Sequence, residues 1–133
     1  MRVAAIGLLA LAFGLPASAA TTVPAPVAKT RMAILKAAQA HDYAALAKLI
    51  GNRPITFTYG PTAGGPVAYW KRLERQGGKP LATLAGLLKN PGVKFQGNYV
   101  WPRAYAKPTG PGYYGYRVGI SPAGRWLFFV RGD

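Results

Sequence analysis

The last twenty residues constrain the fold more than any other part of this chain. Tyr114, Tyr116, Val118 and Ile120 alternate with Gly115, Arg117 and Gly119, the period of a strand with one buried face. Ser121-Pro122-Ala123-Gly124 follows, with proline at the second and glycine at the fourth position, as a type I turn favours. Trp126 to Val130 is then aromatic and β-branched. The pattern predicts a β-hairpin that must be covered on one side. Tyr114, Tyr116, Trp126 and Phe128 are expected in the core, with Arg117 and Tyr113 on the open face.

Helices upstream supply the cover. Thr30 to Ala40 carries Met32, Leu35 and Ala38 at helical spacing, after a Pro- and Thr-rich stretch (residues 20–28) that reads as a flexible lead-in. Asp42 reads as the N-cap of a second helix, Tyr43 to Ile50, with Gly51 at its C-terminal cap. Ile55, Phe57 and Tyr59 alternate with Thr56 and Thr58, which predicts a strand. A third helix is expected over Val67–Gln76, stopped by Gly77-Gly78, and a fourth from Pro80 to the Asn90-Pro91-Gly92 break. Short strands are expected at Val93–Phe95 and Asn98–Trp101, and a loop at Lys107–Gly112. The order predicts an α+β fold, helices packed on a small antiparallel sheet, over residues 29–133 as one domain.

The first nineteen residues read as a secretory signal. Arg2 gives a positive start, Val3 to Leu15 an apolar run, and Ala17-Ser18-Ala19 a small-x-small cleavage site. The apolar run falls short of the ~20 residues that span a bilayer. No twin-arginine pair precedes it, so the general export route is expected. Cutting after Ala19 leaves 114 residues with sixteen of the seventeen Lys and Arg and all three acids, a formal charge of +13. With no cysteine, stability must come from packing alone.

That inventory restricts chemistry. Thiol nucleophiles, disulfides and cysteine lipidation are excluded, and one His with three acids forms no metal-ligand cluster. No cofactor motif is present, and the glycines lack the spacing of a phosphate loop. His41 and Asp42 are the catalytic candidates, as an acid-base pair, although capping accounts for Asp42. Glu74 sits among Lys71, Arg72 and Arg75, as an exposed residue would. Ser121 is explained by its turn. Arg103, Tyr113, Arg117 and Arg125 are the ligand-contact candidates, since guanidinium groups beside aromatic faces suit sugars, bases or anionic head groups.

The stretch Ala68–Leu88 (AYWKRLERQGGKPLATLAGLL), then NYVWPRAYA at Asn98–Ala106, then GYYGYRVGISPAGRWLFFVRGD at Gly112–Asp133 resembles a family of exported bacterial proteins of unknown function. Its members share the Tyr-Val-Trp-Pro segment and the terminal Gly-Arg-Trp, Phe-Phe-Val, Gly-Asp pattern. They often carry a longer acidic insertion where this chain has only Lys107–Gly112, and this chain is far more basic. The resemblance implies export, to the periplasm rather than the medium because such proteins come mostly from bacteria with two membranes, and no transferable activity. Lys29–Tyr59 is also similar to the nuclear transport factor 2-like cone, a fold that hosts both enzymes and binders.

The function expected first is a non-catalytic envelope protein that binds anionic polymers or lipid head groups; nucleic acid is not an expected partner, because export removes it. A small-ligand pocket protein, with His41 and Asp42 doing acid-base work, is the second reading. A protein-interaction module docking through the aromatic hairpin is the third, and it needs Trp101, Tyr113 and Trp126 at the surface.

Overall fold

The computed structural model describes residues 23–107 and 112–132. The signal sequence expected over residues 1–19 lies outside them, as do the middle of the Lys107–Gly112 loop and Asp133. The architecture is α+β. Among the described residues four α-helices come first: α1 (Ala25–Gln39), α2 (Tyr43–Ile50), α3 (Gly65–Arg75) and α4 (Pro80–Leu88). Four strands follow: β1 (Val93–Phe95), β2 (Asn98–Trp101), β3 (Arg117–Ile120) and β4 (Trp126–Val130), with a 3-10 helix at Arg103–Ala106 between β2 and β3. The sheet is an antiparallel meander in the order β1-β2-β3-β4, and β3 and β4 form the expected hairpin.

One irregularity decides which side chains meet the helices. The β3–β4 register shifts between Gly119 and Ile120, so Ile120 pairs with Trp126 while Gly119 pairs with Phe128. A bulge of this kind reverses the alternation of the strand beyond it. Trp126 and Phe129 therefore share the helix-facing side with Val118, Ile120 and Trp101. Phe128 turns to the opposite side, against the expectation that it would join Trp126. Its ring lies flat on Gly119, where a Cβ would overlap it.

The helix-facing side is closed by Trp70 of α3. Its indole is fully buried, stacked on Trp126 (5.8 Å between centroids, 22° between planes) and tilted against Phe129 (5.6 Å). Ile34 of α1, Leu46 of α2 and Leu81, Leu84 and Leu88 of α4 fill the same core. α1 packs against both α2 and α4, and Arg31 fixes the second contact by donating from Nε to the Leu88 carbonyl (2.8 Å) and from Nη2 to those of Lys89 and Asn90 (both 3.2 Å). These are carbonyls at the end of α4 that the helix leaves unpaired.

Helix α1 starts at Ala25, not at Thr30. Proline in the first turn loses no hydrogen bond, because those N–H groups have no helical partner anyway. Ala25–Ala28, read from composition as lead-in, are thus helical, and Val27 is fully buried. Thr30, the expected cap, instead donates its hydroxyl to the Gly124 carbonyl (2.6 Å) and ties α1 to the hairpin turn.

The Thr-rich strand is reduced to one parallel bridge, Thr56 with Phe128. Thr56 donates to Leu127 O and accepts from Phe129 N (both 3.0 Å), but Pro54 before it has no N–H to give and Gly60-Pro61 turns the chain away. Strand β3 likewise begins only at Arg117. Residues 113–116 fold into a tight turn closed by the Tyr113 hydroxyl on the Tyr116 carbonyl (2.9 Å), which leaves Tyr114 61% exposed instead of in the core.

Trp70→Ala is expected to lower unfolding free energy by about 3–5 kcal/mol, the usual loss for a buried aromatic. Trp70→Phe should cost clearly less, because the indole N–H is buried without a partner and its removal forfeits no hydrogen bond. Urea denaturation followed by circular dichroism measures both.

Candidate functional site

The sequence candidates do not converge. His41 occupies the left-handed position that ends α1 (φ 56°), where its N–H bonds Ala38 O and that of Asp42 bonds Ala37 O, a Schellman arrangement. Asp42 caps α2 by accepting from Ala45 N (3.0 Å). The His41 imidazole turns to α3 and meets Glu74 at 2.6 Å, with 59% of its side chain open to solvent. None of the described cavities has His41 in its wall. The pair expected to share acid-base work therefore serves two separate structural contacts.

Beside that ion pair, Tyr43 packs its ring edge-on to His41 (5.2 Å), with the Lys71 ammonium over its face (5.4 Å). Its hydroxyl is buried and makes no well-formed hydrogen bond. Burial first, and the neighbouring Glu74 carboxylate second, push the phenol well above its ordinary value of 10.0.

Among the ligand-contact candidates, Arg103 is exposed at the start of the 3-10 helix, and Arg125 is exposed at the hairpin turn, reaching Pro54 O (3.4 Å). Tyr113 is spent on its own turn. Trp101 and Trp126 are buried, which takes two of three anchors from the interaction-module reading.

Arg117 departs most from expectation, at only 6% exposed. It pairs across the sheet with Val130, on the side facing away from the helices. The 3-10 helix, the 113–116 turn and Tyr59 cover that side. Tyr105 of the 3-10 helix packs edge-on against Phe95, Phe128 and Tyr113. The guanidinium sits over the rings of Tyr105 (5.0 Å) and Tyr59 (5.9 Å). It donates to the Tyr59 hydroxyl (3.0 Å) and to the carbonyls of Tyr113 and Gly115 (both 3.4 Å). Dipoles and π-faces replace a carboxylate here, and the planar fork suits several acceptors at once. Arg117 holds the second face of the sheet together and is not presented to a ligand.

Arg125 lines, with Arg53, a cavity of about 450 Å³ beside the hairpin turn, and Asp42 one of about 400 Å³ between α1 and α2. A further cleft gathers aromatic, hydroxyl and guanidinium groups. Phe57 and Thr58, Tyr69 and Leu73 of α3, Tyr116 and Arg131 line a cleft of about 330 Å³. A second lobe of about 270 Å³ shares Leu73, Tyr116 and Arg131 and is closed by Gly78, Lys79, Pro80 and Thr83 at the α3–α4 junction. Tyr69 and Leu73 reach it together because they are four apart on one helical face. Tyr69 leans on Phe57 (5.5 Å), and Arg72 sits over its ring (5.7 Å). Tyr116 rests one face on Phe129 (5.0 Å) with the Arg131 guanidinium 5.9 Å from its centroid. Burial, and then nearby Tyr69, raise the Tyr116 phenol against the opposing pull of Arg131, so the hydroxyl stays a neutral donor. No lining residue carries a carboxylate, imidazole or thiol. The sequence pattern pointed to Tyr116 as core and to Arg131 only as one of several interleaved arginines, and nothing in it linked them to Phe57 or Tyr69.

Charge is distributed around these features without pairing. Among the described residues the one such contact is His41–Glu74, ionic when the imidazole is protonated, so none of the sixteen Lys and Arg there has a described carboxylate within 4.0 Å. No group of three or more metal-ligating side chains occurs among the described residues, and no helix among them is long and apolar enough to cross a membrane. Comparison with protein-family models, with curated proteins and with solved structures finds no match to the chain.

Two stability measurements probe these assignments. Arg117→Ala is expected to cost about 2–3 kcal/mol, the value of charge-assisted hydrogen bonds lost from a buried site. Arg117→Lys should recover little of it, because an ammonium cannot reach three acceptors in one plane. The Tyr43 prediction concerns pH. Its folded-state phenol is raised above the unfolded value of 10.0, so the folded chain keeps the proton longer. Stability is therefore flat up to about pH 10 and falls above it, as the unfolded chain ionises first. Tyr43→Phe should be neutral at pH 7 and lose less stability between about pH 10 and 11.5 than the parent in urea midpoints.

Proposed function

We propose that this is a non-catalytic binding protein for anionic polymers or lipid head groups of the cell envelope, exported to the periplasm by the signal expected over residues 1–19. The observation that carries the reading is the excess of positive charge: sixteen Lys and Arg among the described residues, and not one in an ion pair with a described carboxylate. A surface dominated by one sign attracts polyanions and repels copies of itself. Export, if it follows the resemblance to exported bacterial proteins, places lipopolysaccharide and wall polymers within reach and nucleic acid out of it. The dispersal of His41 and Asp42 onto separate structural contacts favours binding over turnover.

Sedimentation of the purified protein with lipopolysaccharide vesicles, wall polymer and neutral vesicles tests this. Binding to the anionic fractions is expected at low salt and should be lost as salt rises, since the screening length shrinks from about 30 Å at 0.01 M to about 3 Å at 1 M. Binding that ignores salt, or that is equal on neutral vesicles, contradicts the proposal.

A further inference from the structure

We infer that the cleft bounded by Phe57, Tyr69, Tyr116 and Arg131 is a subsite for one anionic sugar unit, a pyranose bearing a carboxylate or a phosphate. The inference rests on the anionic-polymer reading and names where such a polymer is gripped. Three features of the cleft carry it.

The first is size. At about 330 Å³ with an adjoining lobe of about 270 Å³, it lies at the small end of ligand sites. It holds a single ring and its substituents, not an extended chain. The second is the combination of surfaces. Phe57, Tyr69 and Tyr116 put aromatic carbon in the wall against the C–H groups of a sugar, while Thr58 and the two phenols add hydroxyls for its oxygens. Thr83 and Lys79 stand in the second lobe. An acyl chain would leave these polar groups unpaired, which disfavours it.

The third is Arg131. It is exposed, has no carboxylate partner among the described residues, and leans on the Tyr116 ring. Its guanidinium fork can take two oxygens of a carboxylate or phosphate in parallel. Lys79 lines the second lobe and Arg72 lies over the Tyr69 ring, and no described acid lines either lobe. Arg117 contrasts with it: that guanidinium is buried and spent on carbonyls and a phenol, whereas Arg131 is exposed and paired with no described carboxylate.

The test titrates the purified protein with three probes: glucuronate, glucose 6-phosphate and glucose, each followed by isothermal titration calorimetry and tyrosine fluorescence. The variants are Arg131→Gln, Tyr116→Phe and, as a charge-matched control far from the cleft, Lys94→Gln. Saturable binding of one or both anionic probes, but not of glucose, is expected. Glucuronate alone would mark a uronate polymer, and the sugar phosphate alone a phosphorylated one. Arg131→Gln should weaken the bound probe about tenfold or more. Tyr116→Phe keeps the ring and should weaken it less, and Lys94→Gln should leave it within about twofold. Binding of neither anionic probe, or equal losses in Arg131→Gln and Lys94→Gln, overturns the subsite. If the parent and Arg131→Gln still sediment equally with wall polymer at low salt, the subsite fails while the polyanion reading stands. If the parent sediments with no anionic fraction, that reading fails as well.

Discussion

The indole of Trp70 joins the two layers of this fold. It arrives on α3 and stacks on Trp126 and Phe129 of β4, the last strand. Without a disulfide to fix the layers, this aromatic contact and the leucines of α4 must bring helices and sheet together. Its geometry depends in turn on the bulge in the hairpin. Only because the register shifts at Gly119/Ile120 do Trp126 and Phe129, three residues apart, both face Trp70. The same shift sends Phe128 to the far side and creates the need for a second cover there.

That second cover explains the position of Arg117. A strand buried on both faces has no place for a charge unless its surroundings supply acceptors, and the 113–116 turn, Tyr59 and Tyr105 supply them. Among the described residues no Lys or Arg meets an acid. The cleft lies at the edge between these regimes, where β3 begins and β4 ends. Tyr116 belongs half to the core through Phe129, and Arg131 half to the solvent.

Much of the fold was legible from pattern. Helix α2 came from Asp42 and Gly51, α4 from Pro80, and the β1–β2 and β3–β4 pairings from short apolar alternations. What failed did so for identifiable reasons. The α1 start was hidden because prolines that suit a first turn read as an extended segment. The phase of the hairpin was hidden because a bulge leaves no mark in alternation. Tyr114 and Arg117 were exchanged between inside and outside for two reasons: the Tyr113 hydroxyl closes a turn at 113–116 that alternation does not register, and the cover over Arg117 comes from Tyr59 and Tyr105, far from it in the chain. The candidate cleft was the least legible part. Its walls come from Phe57, Tyr69, Tyr116 and Arg131, residues far apart in the chain, and no spacing rule connects them.

In the function we propose, the basic surface grips anionic polymer and one cleft focuses that grip. Chemical-shift mapping by NMR, with an anionic oligosaccharide titrated into the isotope-labelled protein, tests it most directly. Amide shifts concentrated at Phe57–Thr58, Tyr69–Leu73, Tyr116 and Arg131, and smaller ones across the exposed lysines, are the predicted result. Shifts spread evenly over the Lys and Arg positions with none at the cleft, or no shifts at all at low salt, would contradict the account.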